Sequence, residues 1–406
     1  MQKPNRQMKR KEALTFAVSD LGFVWDFVLG ISGLLSERGS KMTKVSLAVM
    51  TSFLLVLGAT ASADTIAPDK LEYQGAFQCN IHYAGHAGLA YYAAGQQGAG
   101  SMFMVSTGGG TRVREFALAT PVKPPGALPM VNEIMNFTPN AGADGLEYLP
   151  IKGTQTSGKL YWGRDSSGAQ QMQLGYGDVD GTNQVGYWNR AGSRVGKSLF
   201  GAPQDWADTN TSGRSLLALG HRYGRPGPRL RAVAPWTWTW VDSGSGYDNN
   251  SQASTLLLEY DSTHPLQIPG DGDGTSSDDY LYGAYITNTA ADASVLIGGK
   301  SVNGGHVLLF YDPADLAAVA AGGNPYDPQP YDVIDMSAYL TQGTYFGGAA
   351  FDENKHILYV SEYGGGGSNY GTVHVFHIAE PTLPIPEPAG LGLMGLALLS
   401  LRRRRS

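Results

Sequence analysis

The sequence has little of what most often stabilises an exported protein. Cys79 is the single cysteine, so no internal disulfide can form. Charged residues make up 16% of the chain, against roughly 25% in an average soluble protein. Between residues 64 and 378, helical periodicity is sustained only over 313–321, where we predict a short surface helix. These scarcities exclude a disulfide scaffold, argue against a helical bundle, and leave packing or bound ions to hold the fold together.

Glycine, by contrast, is abundant. It supplies 55 of the 406 residues, about twice its usual share, which is typical of short strands joined by tight turns. Once the two basic ends are set aside, residues 64–401 hold 17 basic and 31 acidic side chains, a net charge near −14. This acidity disfavours nucleic acid and anionic membranes as partners and favours solubility.

A secretory signal peptide is predicted over residues 42–63. Lys44 is followed by an apolar run from Val45 to Leu57 and then by small residues, which is the order found in signal peptides. Signal peptidase is expected to cut just before the last of these residues: Ala61, Ala63 and Asp64. Residues 1–41 are either the product of a wrongly assigned gene start, which we favour, or an extra region ahead of the signal.

The C-terminus carries a Pro-Glu-Pro sequence, an uncharged apolar segment over 389–401 and an arginine cluster, in that order. As a helix, this apolar segment spans about 20 Å, which is shorter than the roughly 30 Å hydrocarbon core of a bilayer. The arginines should remain on the cytoplasmic side and leave the Pro-Glu-Pro on the outer side. The residues concerned are Pro386, Glu387, Pro388, Arg402, Arg403, Arg404 and Arg405.

This arrangement closely resembles the PEP-CTERM sorting domain of bacteria that make exopolysaccharide. The resemblance covers residues 386–405 and is carried by the three features in their order at the end of the chain. It implies transient membrane anchoring, recognition by an exosortase, which is a membrane-embedded cysteine transpeptidase, and delivery to the cell envelope or extracellular matrix. A plain C-terminal anchor is the alternative. Residues 379–385 ahead of the tail are rich in proline and predict an extended spacer.

The segment 64–378 repeats a pattern in which a small-residue strand, a turn and a second strand of β-branched or aromatic residues follow one another. The pattern occurs in 346–376, which shows it most clearly, and in 88–116, 144–174, 215–240 and 255–310. Residues 347–362 resemble the inner two strands of β-propeller blades, and a spacing of about 40 to 60 residues suits four-stranded blades. We therefore predict an all-β fold, a β-propeller of five to seven blades, with a β-sandwich pair or a β-helix as alternatives. Blades pack on both faces and leave only short edges, which suits a disulfide-free exported protein.

Acidic side chains alternate on a glycine-rich loop after Pro269, and these are the candidate metal ligands: Asp271, Asp273, Asp278 and Asp279. Such a loop can surround Ca²⁺ with oxygen ligands, although it lacks the last-position glutamate of an EF-hand. Asp178 and Asp180 form a second, weaker group. The alternative, which we favour, is that both loops are solvated hairpin tips, so no cofactor is predicted with certainty.

Trp236, Trp238 and Trp240 alternate with threonine, so on a strand all three indoles would share one face. Arginines lie nearby, and Arg222 and Arg229 are the candidates to pair with an acidic polysaccharide whose rings stack on the indoles. The alternative, which we favour, is a core strand whose tryptophans pack between sheets, because three exposed indoles in a row are costly.

Two hypotheses follow for the function of this segment. The first is a non-enzymatic envelope or matrix module that binds polysaccharide or another surface protein. The second is a secreted hydrolase or lyase acting on matrix sugars through carboxylates such as Asp271, Asp273 or Glu362. We favour the first, because Cys79 has no basic neighbour in sequence that would activate it and no nucleophile elbow or nucleotide-binding loop is present.

Overall fold

The computed structural model describes most of the segment 64–380. The described residues are 64–82, 88–106, 111–140, 142–166, 171–191, 194–221, 227–238, 253–268, 272–274, 282–300, 305–341, 345–363 and 370–380. The predicted signal peptide, the region ahead of it and the sorting tail lie outside them. In the part of the chain that is described, no helix is both long and apolar enough to cross a membrane.

Four antiparallel sheets are each built from four strands that follow one another along the chain, with one short strand interposed. Blade 1 contains β2 (Leu89–Tyr92), β3 (Ser101–Ser106), β4 (Arg112–Ala117) and β6 (Glu133–Phe137). Blade 2 contains β7 (Gly145–Leu149), β8 (Lys159–Ser166), β9 (Gln171–Gly177) and β10 (Val185–Ala191). Blade 3 contains β11 (Arg194–Gly201), β12 (Leu216–His221), β13 (Pro228–Val233) and β14 (Ser254–Leu258). Blade 4 contains β17 (Tyr282–Thr287), β18 (Ala293–Lys300), β19 (His306–Tyr311) and β20 (Asp332–Asp335).

Blade 5 combines both ends of the domain. It contains β21 (Tyr345–Asp352), β22 (Ile357–Tyr363), β23 (Tyr370–Ile378) and β1 (Leu71–His82), with β5 (Met130–Val131) pairing parallel to β1 at the outer edge. The remaining elements are a small hairpin of β15 (Leu266–Ile268) and β16 (Gly272–Gly274), a turn at Gly95–Gly98, helices α1 (Gln204–Asn210) and α2 (Pro313–Ala320), and 3₁₀ turns at Pro68–Lys70, Pro235–Thr237 and Ser337–Tyr339.

The first strands of the five blades form a closed ring. β2 contacts β7, β7 contacts β11, β11 contacts β17, β17 contacts β21, and β21 contacts β2 again. Each blade continues outward from its first strand as an antiparallel meander. The protein is therefore a five-bladed β-propeller with a central channel between its inner strands. This confirms the predicted fold class and the lower end of the predicted blade number.

The ring is closed by pairing between strands from the two ends of the domain. β1 runs antiparallel to β23, from Leu71 opposite Ile378 to His82 opposite Tyr370. A bulge in β1 at Gly75, where φ is +124°, brings the chain so close to Val122 that a Cβ would lie 2.5 Å from its carbonyl carbon. Glycine is therefore required at this bulge.

The strands read as continuous apolar runs because each blade is covered by a neighbour on both faces. In β19 all six residues, His306 to Tyr311, are buried, and the same holds for β3. Helix α2 confirms the helix predicted over 313–321. It begins after Asp312, whose carboxylate accepts a hydrogen bond from the N–H of Ala314 at 2.8 Å, and it buries Leu316.

Cys79 lies in the core of blade 5, where it is fully buried. Burial raises the pKa of its thiol well above the ordinary range. A neutral, inaccessible thiol has no nucleophilic role, as the sequence led us to expect.

A buried polar network joins the closing strand to the rest of blade 5. Nε2 of His374 in β23 is 2.9 Å from Oε2 of Glu362 in β22, and Nδ1 of His374 is 3.2 Å from the hydroxyl of Tyr73 in β1. Glu362 also accepts hydrogen bonds from the backbone N–H and the hydroxyl of Thr341. Burial, with smaller contributions from Glu362 and Tyr339, raises the pKa of Tyr73 to about 12. The network thus links the first and last strands of the ring.

If pairing of β1 with β23 closes the ring, a cavity in β1 should destabilise the whole domain. Phe77→Ala removes a fully buried ring and should lower the free energy of unfolding by about 3–5 kcal/mol, measured by urea denaturation. Glu72→Ala in the same strand removes an exposed side chain and serves as the control, with an expected change within about 0.5 kcal/mol. Equal stability of the two variants would contradict this role for β1.

Candidate functional site

A cavity of about 530 Å³ opens at the end of the channel where the inner strands terminate. All five blades contribute to its lining, which includes Tyr91 (β2), Glu147 (β7), Phe200 (β11), Tyr285 (β17) and Asp352 (β21). Its volume lies in the range of roughly 300–1,000 Å³ that is usual for small-molecule sites. We refer to this cavity as the channel mouth.

Glu147 places a carboxylate on the inner strand of blade 2, facing the inner strand of blade 3. The backbone N–H of Gly201 donates a hydrogen bond to it, and a Cβ at Gly201 would lie only 3.1 Å from Oε1 of Glu147. Burial raises the pKa of Glu147 to about 8, although the Gly201 N–H and the nearby Lys152 act in the opposite direction. The side chain is nevertheless partly exposed, because it borders the channel mouth. Glu147 is therefore a carboxyl group that is largely protonated near neutral pH.

Lys152 supplies the one lysine in the lining of the channel mouth. It is buried, and its ammonium donates a hydrogen bond to Oε1 of Gln204, whose Nε2 in turn donates to Oδ1 of Asp208 at 2.7 Å. Burial lowers the pKa of Lys152, while Asp208, Glu147 and Glu353 oppose this effect. The cation is thus already hydrogen-bonded within the protein and surrounded by carboxylates.

Asp352 ends the inner strand of blade 5 and is fully buried. Its Oδ1 accepts hydrogen bonds from the backbone N–H groups of Asn354 and Lys355, at 3.1 and 3.3 Å, which fixes the turn into β22. Its Oδ2 lies 3.7 Å from Nζ of Lys355. Tyr91 lies against the same carboxylate, and burial together with Asp352 raises the pKa of Tyr91.

Aromatic rings complete the walls of the channel mouth and are held by other rings behind them. Tyr91 stacks on Tyr359 at a centroid distance of 5.8 Å, and Tyr148 meets Tyr92 at 4.7 Å. Tyr285 is likewise packed against another ring, 5.8 Å away. The mouth therefore combines rigid aromatic surface with four carboxylates, those of Glu147, Asp205, Asp352 and Glu353.

The predicted row of tryptophans is not on a strand. Trp236 belongs to the 3₁₀ turn Pro235–Thr237, because proline starts this turn, and Trp238 follows it. Both indoles pack against a core cluster that contains Tyr161, and the ring of Trp236 lies 5.9 Å from that of Tyr161. The prediction that the indoles share one strand face is therefore wrong for this pair, although they pack on the core as the preferred alternative supposed. Trp240 lies outside the described residues.

The two predicted arginines do not form a ligand surface with these indoles. The guanidinium of Arg229 is buried and its Nη2 lies 3.5 Å from Oε2 of Glu259, which is also buried. A buried, ion-paired guanidinium is not accessible to a polysaccharide. Arg222 lies outside the described residues, so its role stays a prediction.

The calcium prediction falls mainly on Asp271, Asp278 and Asp279, which lie outside the described residues. Of the four candidate ligands only Asp273 is described, as a backbone position in β16 opposite Gln267. Among described residues, no group of three His, Cys, Asp or Glu side chains is arranged to hold a metal ion. Calcium at the first loop therefore stays a prediction.

The second acidic loop forms the turn of the β9–β10 hairpin, and its carboxylates bond within the hairpin and its surroundings. Asp178 accepts from Nδ2 of Asn183 at 2.6 Å and pairs with Lys159, while Asp180 accepts from the N–H of Thr182 at 2.9 Å. These hydrogen bonds lower the pKa of both carboxyl groups. This geometry is that of a self-contained hairpin tip.

Glu362, which the enzyme hypothesis placed in the propeller mouth, is instead buried in blade 5 and bonded to His374. The carboxylates that do converge are Glu147 and Asp352, which sequence reasoning did not select. Two signals were present: Glu147 interrupts a short apolar strand, and Asp352 is the first residue of the predicted turn 352–355. Neither signal shows that the two residues share a cavity, because that depends on the closure of the ring.

The raised pKa of Glu147 gives a pH-dependent stability whose sign is defined. Between about pH 4.5 and 8 the folded protein holds a proton on Glu147 that the unfolded chain releases, so the free energy of unfolding falls as pH rises through this window. Glu147→Gln removes this loss, and we expect it to exceed the wild type by roughly 2 kcal/mol above pH 8, a value reduced for the water that borders the side chain.

The measurement is urea denaturation of both proteins at pH 5, 7 and 9. Glu353→Gln, at an exposed position on the rim, is the matched control and should reproduce the wild-type pH profile. Parallel profiles for the wild type and Glu147→Gln would contradict the raised pKa.

No protein-family model and no curated protein matches the sequence. Among solved structures, the chain is similar to a protein of unknown function from Dyadobacter fermentans DSM 18053, with a TM-score of 0.32 and 10% sequence identity. The similarity covers 77% of this chain and 100% of the other. A likeness of this degree says nothing about activity, so the assignment of function depends on the channel mouth and the sequence of the chain ends.

Proposed function

We propose that the chain is an exported protein of the cell envelope or extracellular matrix whose propeller acts as a binding module. The observation that carries the binding role is the channel mouth, a cavity of about 530 Å³ lined by residues of all five blades. Five independent strand ends meet around one space there, so a ligand can be held from every side. Concave, aromatic-lined cavities with a few converging polar groups are the usual form of such sites.

Export and processing are proposed from the sequence of the two ends. The signal-like segment ends before Asp64, and the fold includes this residue, because the N–H of Ala293 donates to its carbonyl at 3.0 Å and its own N–H donates to Oδ1 of Asp292 at 3.1 Å. At the other end, the side chain of Glu380 accepts a hydrogen bond from the hydroxyl of Thr289. The propeller thus extends from the predicted signal cleavage point to the proline-rich spacer, which supports cutting at both ends without loss of fold.

A polysaccharide hydrolase or lyase is the second candidate, because Glu147 combines a raised pKa with a buried carboxylate, Asp352, in the same cavity. Glycosidases use one protonated and one ionised carboxyl group on either side of the scissile bond. We favour the binding role because the Asp352 carboxylate is engaged in fixing the turn through Asn354 and Lys355.

The sorting proposal predicts that cleavage depends on the Pro-Glu-Pro residues. In a host with an exosortase, the full chain should lose its C-terminal helix and be released, as measured by intact mass of the secreted protein. Replacing Pro386 and Pro388 by alanine should leave an uncut, membrane-bound chain. Replacing Pro381 and Pro384 in the spacer is the control and should leave release unchanged. An uncut wild-type chain recovered from the cytosol would overturn the proposal.

The binding and enzyme candidates separate on product formation. A binding module should retain matrix polysaccharide on the immobilised mature protein, residues 64–385, without releasing reducing sugar over hours. An enzyme should release reducing or unsaturated ends, and Glu147→Gln should slow this release by about 10²–10⁴-fold, the usual loss when a general acid is removed. Product from the wild type that disappears in this variant would replace the binding role by the catalytic one.

A further inference from the structure

We infer that the channel mouth recognises a protonated amine, an organic ammonium group carried on a sugar ring or on an aliphatic chain. This inference rests on the proposed binding function and names the chemistry of its ligand. It follows from the charges of the mouth, from one carboxylate oxygen within it and from its aromatic walls.

The charges that line the mouth are unbalanced. Four acidic side chains, those of Glu147, Asp205, Asp352 and Glu353, face one lysine, Lys152. The ammonium of that lysine is buried and hydrogen-bonded to Gln204, and further carboxylates surround it. The local field therefore favours a cationic ligand over a neutral one and disfavours a uronic acid or phosphate.

Asp352 provides the independent sign that a donor is missing. The side chain is fully buried, its Oδ1 receives both backbone hydrogen bonds of the following turn, and its Oδ2 accepts none among the described residues. The nearest cation to Oδ2 is Nζ of Lys355 at 3.7 Å, and that side chain is 52% exposed. Buried acceptors are nearly always satisfied, so a donor that enters from the mouth would stabilise the complex.

The aromatic walls suit the same group. Tyr91, Tyr148, Tyr285 and Phe351 line the mouth, and the three tyrosines are held by further rings. An ammonium group or the apolar face of an amino sugar gains from contact with such rings. A bare divalent cation gains nothing from them, and no metal-ligand cluster of three side chains occurs in the described part of the chain.

Glu147 couples recognition to protons. The groups around it are Lys152, Asp205, Asp208, Asp352 and Glu353. Because the pKa of Glu147 is about 8, the empty site holds a proton there at pH 7. An ammonium ligand favours the carboxylate form, so binding should release that proton and should strengthen as pH rises from 6 toward 8.

The test is isothermal titration calorimetry of the mature protein at pH 7 with four probes. They are the tetramer of glucosamine, its fully N-acetylated counterpart, spermidine and CaCl₂. We expect the glucosamine tetramer or spermidine to bind, and the N-acetylated tetramer to bind at least 10-fold more weakly because acetylation removes the charge. Binding of the tetramer alone assigns the amine to a sugar, binding of spermidine alone to an aliphatic chain, and binding of both to either carrier.

The variants identify the groups responsible. Asp352→Asn and Glu147→Gln should each weaken amine binding at least 10-fold, and Glu72→Gln, far along β1 and exposed, should leave it unchanged. Because Asp352→Asn removes a buried carboxylate and can destabilise the fold, Glu353→Gln on the exposed rim provides a second test, with a loss of about two- to five-fold. Repeating the titration in two buffers of different ionisation enthalpy measures proton release, which should vanish in Glu147→Gln.

Equal affinity for the acetylated and free tetramers would overturn the amine while leaving a binding module in place. Binding of CaCl₂ alone, or of none of the four probes, would also overturn the amine inference. Retention of polysaccharide by the immobilised protein tests the binding function independently, so the two failures can be told apart.

Discussion

The antiparallel pairing of β1 with β23 is the interaction on which the rest of the structure depends. Without it the five blades would form an open arc, whose first and last sheets would each expose a face and an edge. With it, each inner strand has two neighbours and the inner strands enclose a channel. The network of Tyr73, His374 and Glu362 lies in the same sheet, so hydrogen bonds between side chains reinforce those between backbones.

Ring closure also creates the electrostatics of the channel mouth. The inner strands all end on one side, so Glu147, Lys152 and Asp352 come from separate blades or turns into one space with little access to water. In that setting a carboxyl group keeps its proton more easily, and a lysine loses its proton more easily, than either would on the surface. The same burial that perturbs these groups makes them sensitive to the charge of any ligand.

Much of the architecture was accessible from the sequence because blades are local structures. The hairpin of β21 and β22 and the helix α2 each follow from periodicity and turn residues within about 30 neighbouring positions, and both are confirmed. The row of Trp236 and Trp238 misled the prediction because alternation was weighed without Pro235, which starts a 3₁₀ turn. Cys79 was interpreted correctly as a buried, inert residue, since its neighbours in sequence gave no reason for activation.

The candidate site was less accessible because it is non-local. Glu147 and Asp352 are more than 200 positions apart, and only closure of the ring determines that they line the same cavity. Neither residue carries a motif. The acidic clusters that did stand out, at 178–180 and 271–279, are conspicuous because they are contiguous, and contiguity is equally typical of turns.

Asp64 and Glu380 are both held by the turn between β17 and β18, through Asp292 and Thr289, and Thr287 at the start of that turn lines the channel mouth. The two chain ends thus leave the propeller on the side where the mouth opens. A copy still tethered by its tail would point the cavity toward the lipid surface, at the distance that a seven-residue spacer permits, roughly 20 Å. Severing the tether would turn a shielded pocket into one that is free to meet large polymers.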